Sequence, residues 1–193
     1  MSALRPVSHS PSEDEIVARI RAGDRRVFEA LFMTHYAGLH AFIANYVDRA
    51  TGEELLQELF FALWRNHETW APAGGVRAYL FAAARNRAFS ALRGRRIMSR
   101  VVQDCAAEDT VPGASPPAGG PAQQVLAAEV ETACREAVHA LPERNRLVVM
   151  LRWDYGMSHA EIAFVLGTSI KGVEGELTRG LRALATQLTW LRA

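Results

Sequence analysis

The sequence predicts an all-α protein: two small helical domains joined by a flexible Pro/Gly-rich linker, the C-terminal one containing a helix-turn-helix. Three observations predict it. Apolar residues recur at helical spacing in segment after segment, and no strand alternation is long enough to compete. The stretch 99–121, which includes VVQDCAAEDTVPGASPPAGGP, is dense in Pro, Gly and Ala and poor in large apolar residues, so it separates two helical blocks. Residues Met157 to Leu184 carry start and stop signals at the spacing of two helices packed across a tight turn. The implied division is 1–98, a linker at 99–121, and 122–193.

In the N-terminal block, Glu13 to Ala22 predicts a short helix that stops near Gly23. Asp24 then caps a longer helix through Phe28, Leu31, Phe32, Tyr36, Leu39 and Ile43. A third helix, Gly52 to Asn66, carries Leu55, Leu56, Leu59, Phe60, Leu63 and Trp64 as a core-facing stripe. Its other face holds Glu54, Gln57, Glu58 and Phe61, an aromatic ring beside carboxylates, as partner-binding helices present. The loop His67 to Gly75 leads to a fourth helix from about Val76. Between Arg77 and Arg100 there are seven Arg and no acidic residue. On the wheel Arg85, Asn86, Arg93 and Arg96 share one side with Phe89. That combination suits nucleic acid, with guanidinium groups for phosphates and a ring for an unstacked base.

Beyond the linker, Ala122 to Ala140 predicts a helix, and Pro142 opens another through Leu147, Val148, Leu151 and Trp153 to Gly156. Ser158-His159-Ala160-Glu161 is a capping box ahead of a short apolar helix that Gly167 ends. Thr168 or Ser169 caps the last helix, whose apolar stripe is Val173, Leu177, Leu181, Leu184, Leu188 and Leu191. Lys171, Gly172, Gly175, Arg179 and Arg182 lie opposite. Each Gly inside a helix costs about 1 kcal/mol against Ala, and close approach to a phosphate backbone is one reason for it. Such a unit lays its second helix in a DNA major groove.

Composition narrows the classes. The 193 residues carry a net charge of +1, so no global field draws the chain onto nucleic acid, and Lys171 is the only Lys. No apolar run reaches the roughly 18 residues of a membrane span, and the start of the chain lacks a signal-peptide core. Cytoplasmic location and no membrane insertion are expected. The two Cys and six scattered His show no ligand spacing, and no nucleophile triad, carboxylate pair or phosphate loop is present. Neither an enzyme nor a cofactor is expected. From these residues alone, a stand-alone helix-turn-helix regulator and a helical adaptor without DNA binding both stay open.

The order of parts resembles the bacterial sigma factors of the small, extracytoplasmic-function type. Gly23-Asp24 with Phe28-Glu29-Ala30-Leu31 resembles the family's opening helix. Glu53-Glu54-Leu55-Leu56-Gln57-Glu58-Leu59-Phe60 followed by Leu63-Trp64 resembles its polymerase-gripping segment, and also the iron-uptake-related subset. Val76-Arg77-Ala78-Tyr79-Leu80 with Ala84-Arg85-Asn86 resembles the helix facing the −10 element. Leu141-Pro142-Glu143-Arg144 and Met157 to Leu184 resemble the −35 domain. The resemblance implies transcription initiation with core RNA polymerase, promoter DNA and an anti-sigma protein as partners. It assigns Glu54, Gln57, Glu58 and Phe61 to polymerase. It assigns Trp70, Arg77, Tyr79, Arg85, Asn86 and Arg87 to the melted −10 strand, and Ser169, Lys171, Gly172, Glu174, Gly175, Thr178, Arg179 and Arg182 to the −35 duplex. Asp104, Glu108 and Asp109 of the linker would mimic nucleic-acid charge. Ala82-Ala83 stands where primary sigma factors carry two Trp, which implies narrow promoter choice. Glu174 and Glu176 stand where relatives often carry basic or amide side chains, which leaves the −35 base preference open.

Overall fold

The computed structural model describes residues 11–101, 130 and 132–189, without the side chains of 95–101. The chain divides into two compact units, Met1–Met98 and Ser99–Ala193. The described residues form α-helices and one 3₁₀ turn, with no strand among them. Residues 99–101 of the predicted linker are helical, and 102–121, with Asp104, Glu108 and Asp109, lie outside the described residues.

In the first unit, α1 (Glu13–Arg21) starts where the Ser12 hydroxyl accepts from the Glu15 N–H. Its acidic first turn and basic last turn both complement the helix dipole. Gly23, at φ +80°, turns the chain into α2 (Arg25–Ile43). One Asp24 oxygen accepts from the N–H groups of Arg26 and Val27, while the other meets Arg19 at 2.7 Å. The Arg19 guanidinium and these backbone donors hold the Asp24 carboxyl below the usual carboxylate range.

Helix α3 (Arg49–Arg65) begins three residues earlier than the sequence suggests, because Asp48 caps it by accepting from the Thr51 N–H. Gly52 therefore marks a contact and not a boundary. A Cβ there would lie 3.1 Å from Ile43 Cγ2, so its absence lets α3 close on the end of α2. The expected stripe is the core: Leu56, Leu59, Phe60 and Leu63 are buried with Leu31, Leu39, Phe42 and Ile43 of α2, while Leu55 and Trp64 are half-buried. Rings fill the gap between the helices, Phe28 against Trp64 at 4.9 Å and Phe32 against Phe60 at 4.8 Å. Each fully buried apolar side chain stabilises by about 1.5–3 kcal/mol. A 3₁₀ turn at His67–Thr69 precedes α4 (Val76–Val101), which buries Val76, Leu80, Phe81, Ala84 and Ala88.

In the second unit, α5 covers 132–139, Ala140 lies in the turn that follows, and 130 is also helical; 122–129 and 131 of the expected helix lie outside the described residues. Pro142 directly precedes α6 (Glu143–Trp153). Met157, fully buried, anchors the turn into α7 (His159–Leu166), where the Ser158–Glu161 capping box is complete. Gly167 takes the left-handed stop at φ +64°, and Ser169 caps α8 (Ile170–Gln187).

The α8 stripe needs one correction. Val173 is buried and Leu177, Leu184 and Leu188 are half-buried, but Leu181 is 43% exposed and the buried position is Gly180. Steps of four drift about 40° around a helix, so two of them carry Leu181 off the line that a step of seven from Val173 keeps. A Cβ on Gly180 would lie 3.0 Å from Val149 Cγ2, so α6 crosses there because no side chain stands in the way. Leu191 lies outside the described residues.

Candidate nucleic-acid and polymerase interface

Burying the Leu-rich side of α3 leaves Glu54, Gln57, Glu58 and Phe61 exposed together at helical spacing. Phe61 is 66% exposed, with the Arg65 guanidinium 6.0 Å from its ring centroid. Met33 on α2 is another exposed large apolar side chain of this unit, which the sequence did not single out. An apolar group kept in water beside carboxylates is a surface suited to a protein partner.

A cleft of ≈ 360 Å³ opens where α3, the following loop and α4 meet. Its lining includes Leu59, Leu63, Asn66, Thr69, Trp70, Tyr79, Ala83 and Arg87. Tyr79, Ala83 and Arg87 follow one another at steps of four along α4. Trp70 is only 5% exposed and meets Tyr79 edge to face at 6.0 Å, so it is a wall of the cleft and not a free stacking platform. Asn66 donates to the Ala62 carbonyl at 2.8 Å, which leaves its own Oδ1 able to accept. A pocket with an aromatic side, an amide oxygen and a guanidinium fits a flat polar heterocycle.

The structure splits the six residues expected at the melted strand. Trp70, Tyr79 and Arg87 converge on the cleft, and Asn86 is exposed on the Tyr79 side of α4. Arg85 instead lies 4.6 Å over the Phe89 ring, which packs edge-on against Tyr46 after α2. Arg77 faces α2: with burial, its charge pushes the His35 imidazole below the ordinary histidine range. Asn66 and Thr69 were missed because their role depends on where the loop folds back, which no local pattern encodes.

Helix α1 holds that loop at both ends. The Arg21 Nε donates to the Glu68 carbonyl at 3.1 Å, and a Glu13 carboxylate oxygen accepts from the Val76 N–H at 3.3 Å. A Cβ on Gly75 (φ +92°) would come within 3.0 Å of that same oxygen. His67 stacks on Trp64 at 4.9 Å and bonds its carbonyl at 2.7 Å.

On α8, Ser169, Lys171, Glu174, Thr178, Arg179 and Arg182 are exposed, and Gly172 and Gly175 half-exposed, on the outward side. The Ser169 hydroxyl accepts from the Gly172 N–H, and Thr178 donates to the Glu174 carbonyl. Gly172 has a local reason: a Cβ would lie 2.8 Å from Thr168 Oγ1 and 3.3 Å from Ser169 Oγ, crowding the cap. Glu174 stays outward, 56% exposed and 3.8 Å from His159. Glu176 does not. Its side chain is 21% exposed and turned to α6, where the Asn145 amide donates to its carboxylate at 2.9 Å and to its carbonyl at 2.8 Å. Among the described residues no group of His, Cys, Asp or Glu is placed to hold a metal, and no helix is long and apolar enough to cross a membrane.

The family description "Sigma-70 region 2" matches residues 31–97 and "Sigma-70, region 4" matches residues 132–184, together more than half of the chain. The RNA polymerase sigma factor CnrH of Cupriavidus metallidurans is 28% identical over 176 residues, covering 90% of this chain and 92% of the relative. The ECF RNA polymerase sigma-E factor of Escherichia coli is 24% identical over 181 residues, covering 92% and 95%. Two solved structures share the fold. CnrH in complex with the cytosolic domain of CnrY gives a TM-score of 0.58 at 24% identity, covering 90% of this chain and 95% of that one. The sigma factor RpoE in complex with the anti-sigma factor NepR, from Bartonella quintana, gives 0.61 at 21% identity, covering 84% and 96%. With its described residues helical and regions 2 and 4 in this order, the chain belongs to the sigma-70 family as an extracytoplasmic-function sigma factor, an initiation factor that directs core RNA polymerase to promoter DNA.

Proposed function

We propose that the three surfaces divide promoter recognition among them. The α3 face of Glu54, Gln57, Glu58 and Phe61 grips core polymerase. The cleft walled by Trp70 and Tyr79, with Arg87 at its side and Asn86 beside it, takes a base extruded from the melted −10 strand. Arg77 and Arg85 act from the α2 side of α4, where their positive charge favours the strand backbone. The outward side of α8 meets the −35 duplex, with Ser169 and the half-exposed Gly172 and Gly175 near phosphates and Lys171, Glu174, Thr178, Arg179 and Arg182 along the groove. Residues 1–98 thus serve polymerase and the −10 element, 122–193 the −35 element, and 99–121 connects them. The observation that carries this reading is the convergence of Trp70, Asn66, Tyr79 and Arg87 from three chain segments on one cleft.

The reading includes a cytoplasmic protein and regulation by an anti-sigma partner, since CnrH and RpoE are each solved with a second protein bound. Membership of the iron-uptake-related subset is supported by the stretch Glu53 to Trp64 and is tested by comparing transcript starts under iron-replete and iron-limited growth.

Reconstituted holoenzyme tests the division of labour. Phe61→Asp is expected to lose competition for core polymerase. Tyr79→Ala and Arg87→Ala are expected to keep core binding and lose strand opening, read by permanganate reactivity of unpaired thymines. Full opening by both cleft variants refutes the assignment of the cleft to the extruded base.

A further inference from the structure

Read as charge alone, Glu176 opposes DNA binding. The contacts say otherwise. Asn145 is the one buried polar side chain among the described residues, and its amide donates to both the carboxylate and the carbonyl of Glu176. The other carboxylate oxygen of Glu176 lies 2.7 Å from an Arg179 Nη. Arg179 itself is 62% exposed, and its guanidinium lies back over Gly175, 3.6 Å from where a Cβ there would stand. Gly180 makes the chain of contacts possible by letting α6 approach α8 at Asn145 and Val149.

An exposed Arg otherwise samples many rotamers, and ordering it on binding costs affinity. A carboxylate anchored to a neighbouring helix removes that freedom before DNA arrives. It also leaves outward guanidinium N–H donors for a partner, because Arg carries five in a fixed fork. A mobile Arg finds phosphates wherever they are. One fixed at a defined position on the groove side meets a base edge in one register.

We propose that Glu176 is a positioning residue for promoter reading: held from α6 by Asn145, it presets Arg179 for one base position of the −35 duplex. The inference rests on the proposed role of the α8 face.

Holoenzyme reconstituted with the full chain is challenged with a promoter library randomised across the −35 element, and transcripts are sequenced. Arg179→Ala is expected to flatten preference at one position. Glu176→Ala is expected to flatten preference at that same position by about tenfold, the scale of one lost base contact, while leaving the others. Glu176→Gln keeps shape and one acceptor and is expected to fall between, so a folding defect of the Ala variant does not end the test. Matching thermal midpoints establish that the C-terminal unit is intact. Should Arg179→Ala flatten a position that both Glu176 variants preserve, the positioning role is overturned while the α8 reading stands. A uniform gain in transcription across the library for Glu176→Ala means the acid acts by repulsion alone, and also overturns it. Unchanged preference in Arg179→Ala overturns both.

Discussion

Two glycines five residues apart on α8 give opposite expectations for the same substitution. At Gly175 an added Cβ meets only the Arg179 guanidinium at 3.6 Å, ordinary contact with a flexible group. Gly175→Ala should therefore show the plain helix-propensity gain of about 1 kcal/mol. That corresponds to a midpoint about 4–8 °C higher for a unit of this size. At Gly180 the Cβ would lie 3.0 Å from Val149 Cγ2 and 3.5 Å from Asn145 Cβ, both on α6. Val149 is buried, and a β-branched residue in a helix has one strongly preferred rotamer, so α8 must move instead. Overpacking costs about 1–3 kcal/mol. The shift also strains the 2.8 and 2.9 Å bonds from Asn145, and leaving that amide unpaired adds about 1–3 kcal/mol. Against the same propensity gain, Gly180→Ala should lose on the order of 2 kcal/mol and lower the midpoint by about 10 °C. Scanning calorimetry of the two variants measures both. A Gly180→Ala protein as stable as Gly175→Ala would refute the close crossing of α6 and α8.

Other expectations follow from local geometry. Because burial and Arg77 depress the His35 pKa in the folded state, the unfolded chain takes up that proton first. The His35 contribution is thus complete above about pH 6.5 and is lost as pH falls through the folded value; urea midpoints should drop over that window, and His35→Gln should flatten the drop. Ser158→Ala removes the acceptor of the Glu161 N–H and half of the capping box, at about 1 kcal/mol, whereas Ser158→Gly should lose only a few tenths; equal losses in denaturation would argue against a capping role. Glu13→Ala frees the Val76 N–H, so its hydrogen exchange should accelerate with those of the 67–75 loop, while amides of α3 keep their rates. Unchanged exchange at Val76 would show that the bond does not protect it.

Much of the fold was legible because helix signals are local. Asp24, Ser158 and Gly167 announced their ends, and the Leu56–Leu63 stripe announced its buried side. What escaped depends on a second helix. Gly52 read as the start of a helix and Gly180 carried no local signal, yet each is where another helix comes close. Glu176 read as an acid where relatives often carry basic or amide side chains, and only Asn145, 31 positions away, turns it inward. The same holds for the cleft. Tyr79 and Arg87 could be placed on one side of α4 from spacing, but Asn66 and Thr69 join them only through the path of the loop.

Helix α1 lies ahead of the segment that matches region 2, yet it grips both ends of the loop that walls the cleft. The Trp70 wall therefore does not flicker as an independent loop tip. To swing it away, either both bonds to α1 break together or α1 leaves with it, and the second route uncovers Ile20, which is fully buried. Opening of the cleft is thus one cooperative unit of local unfolding, and substitutions on α1 that never approach a base set how often it opens.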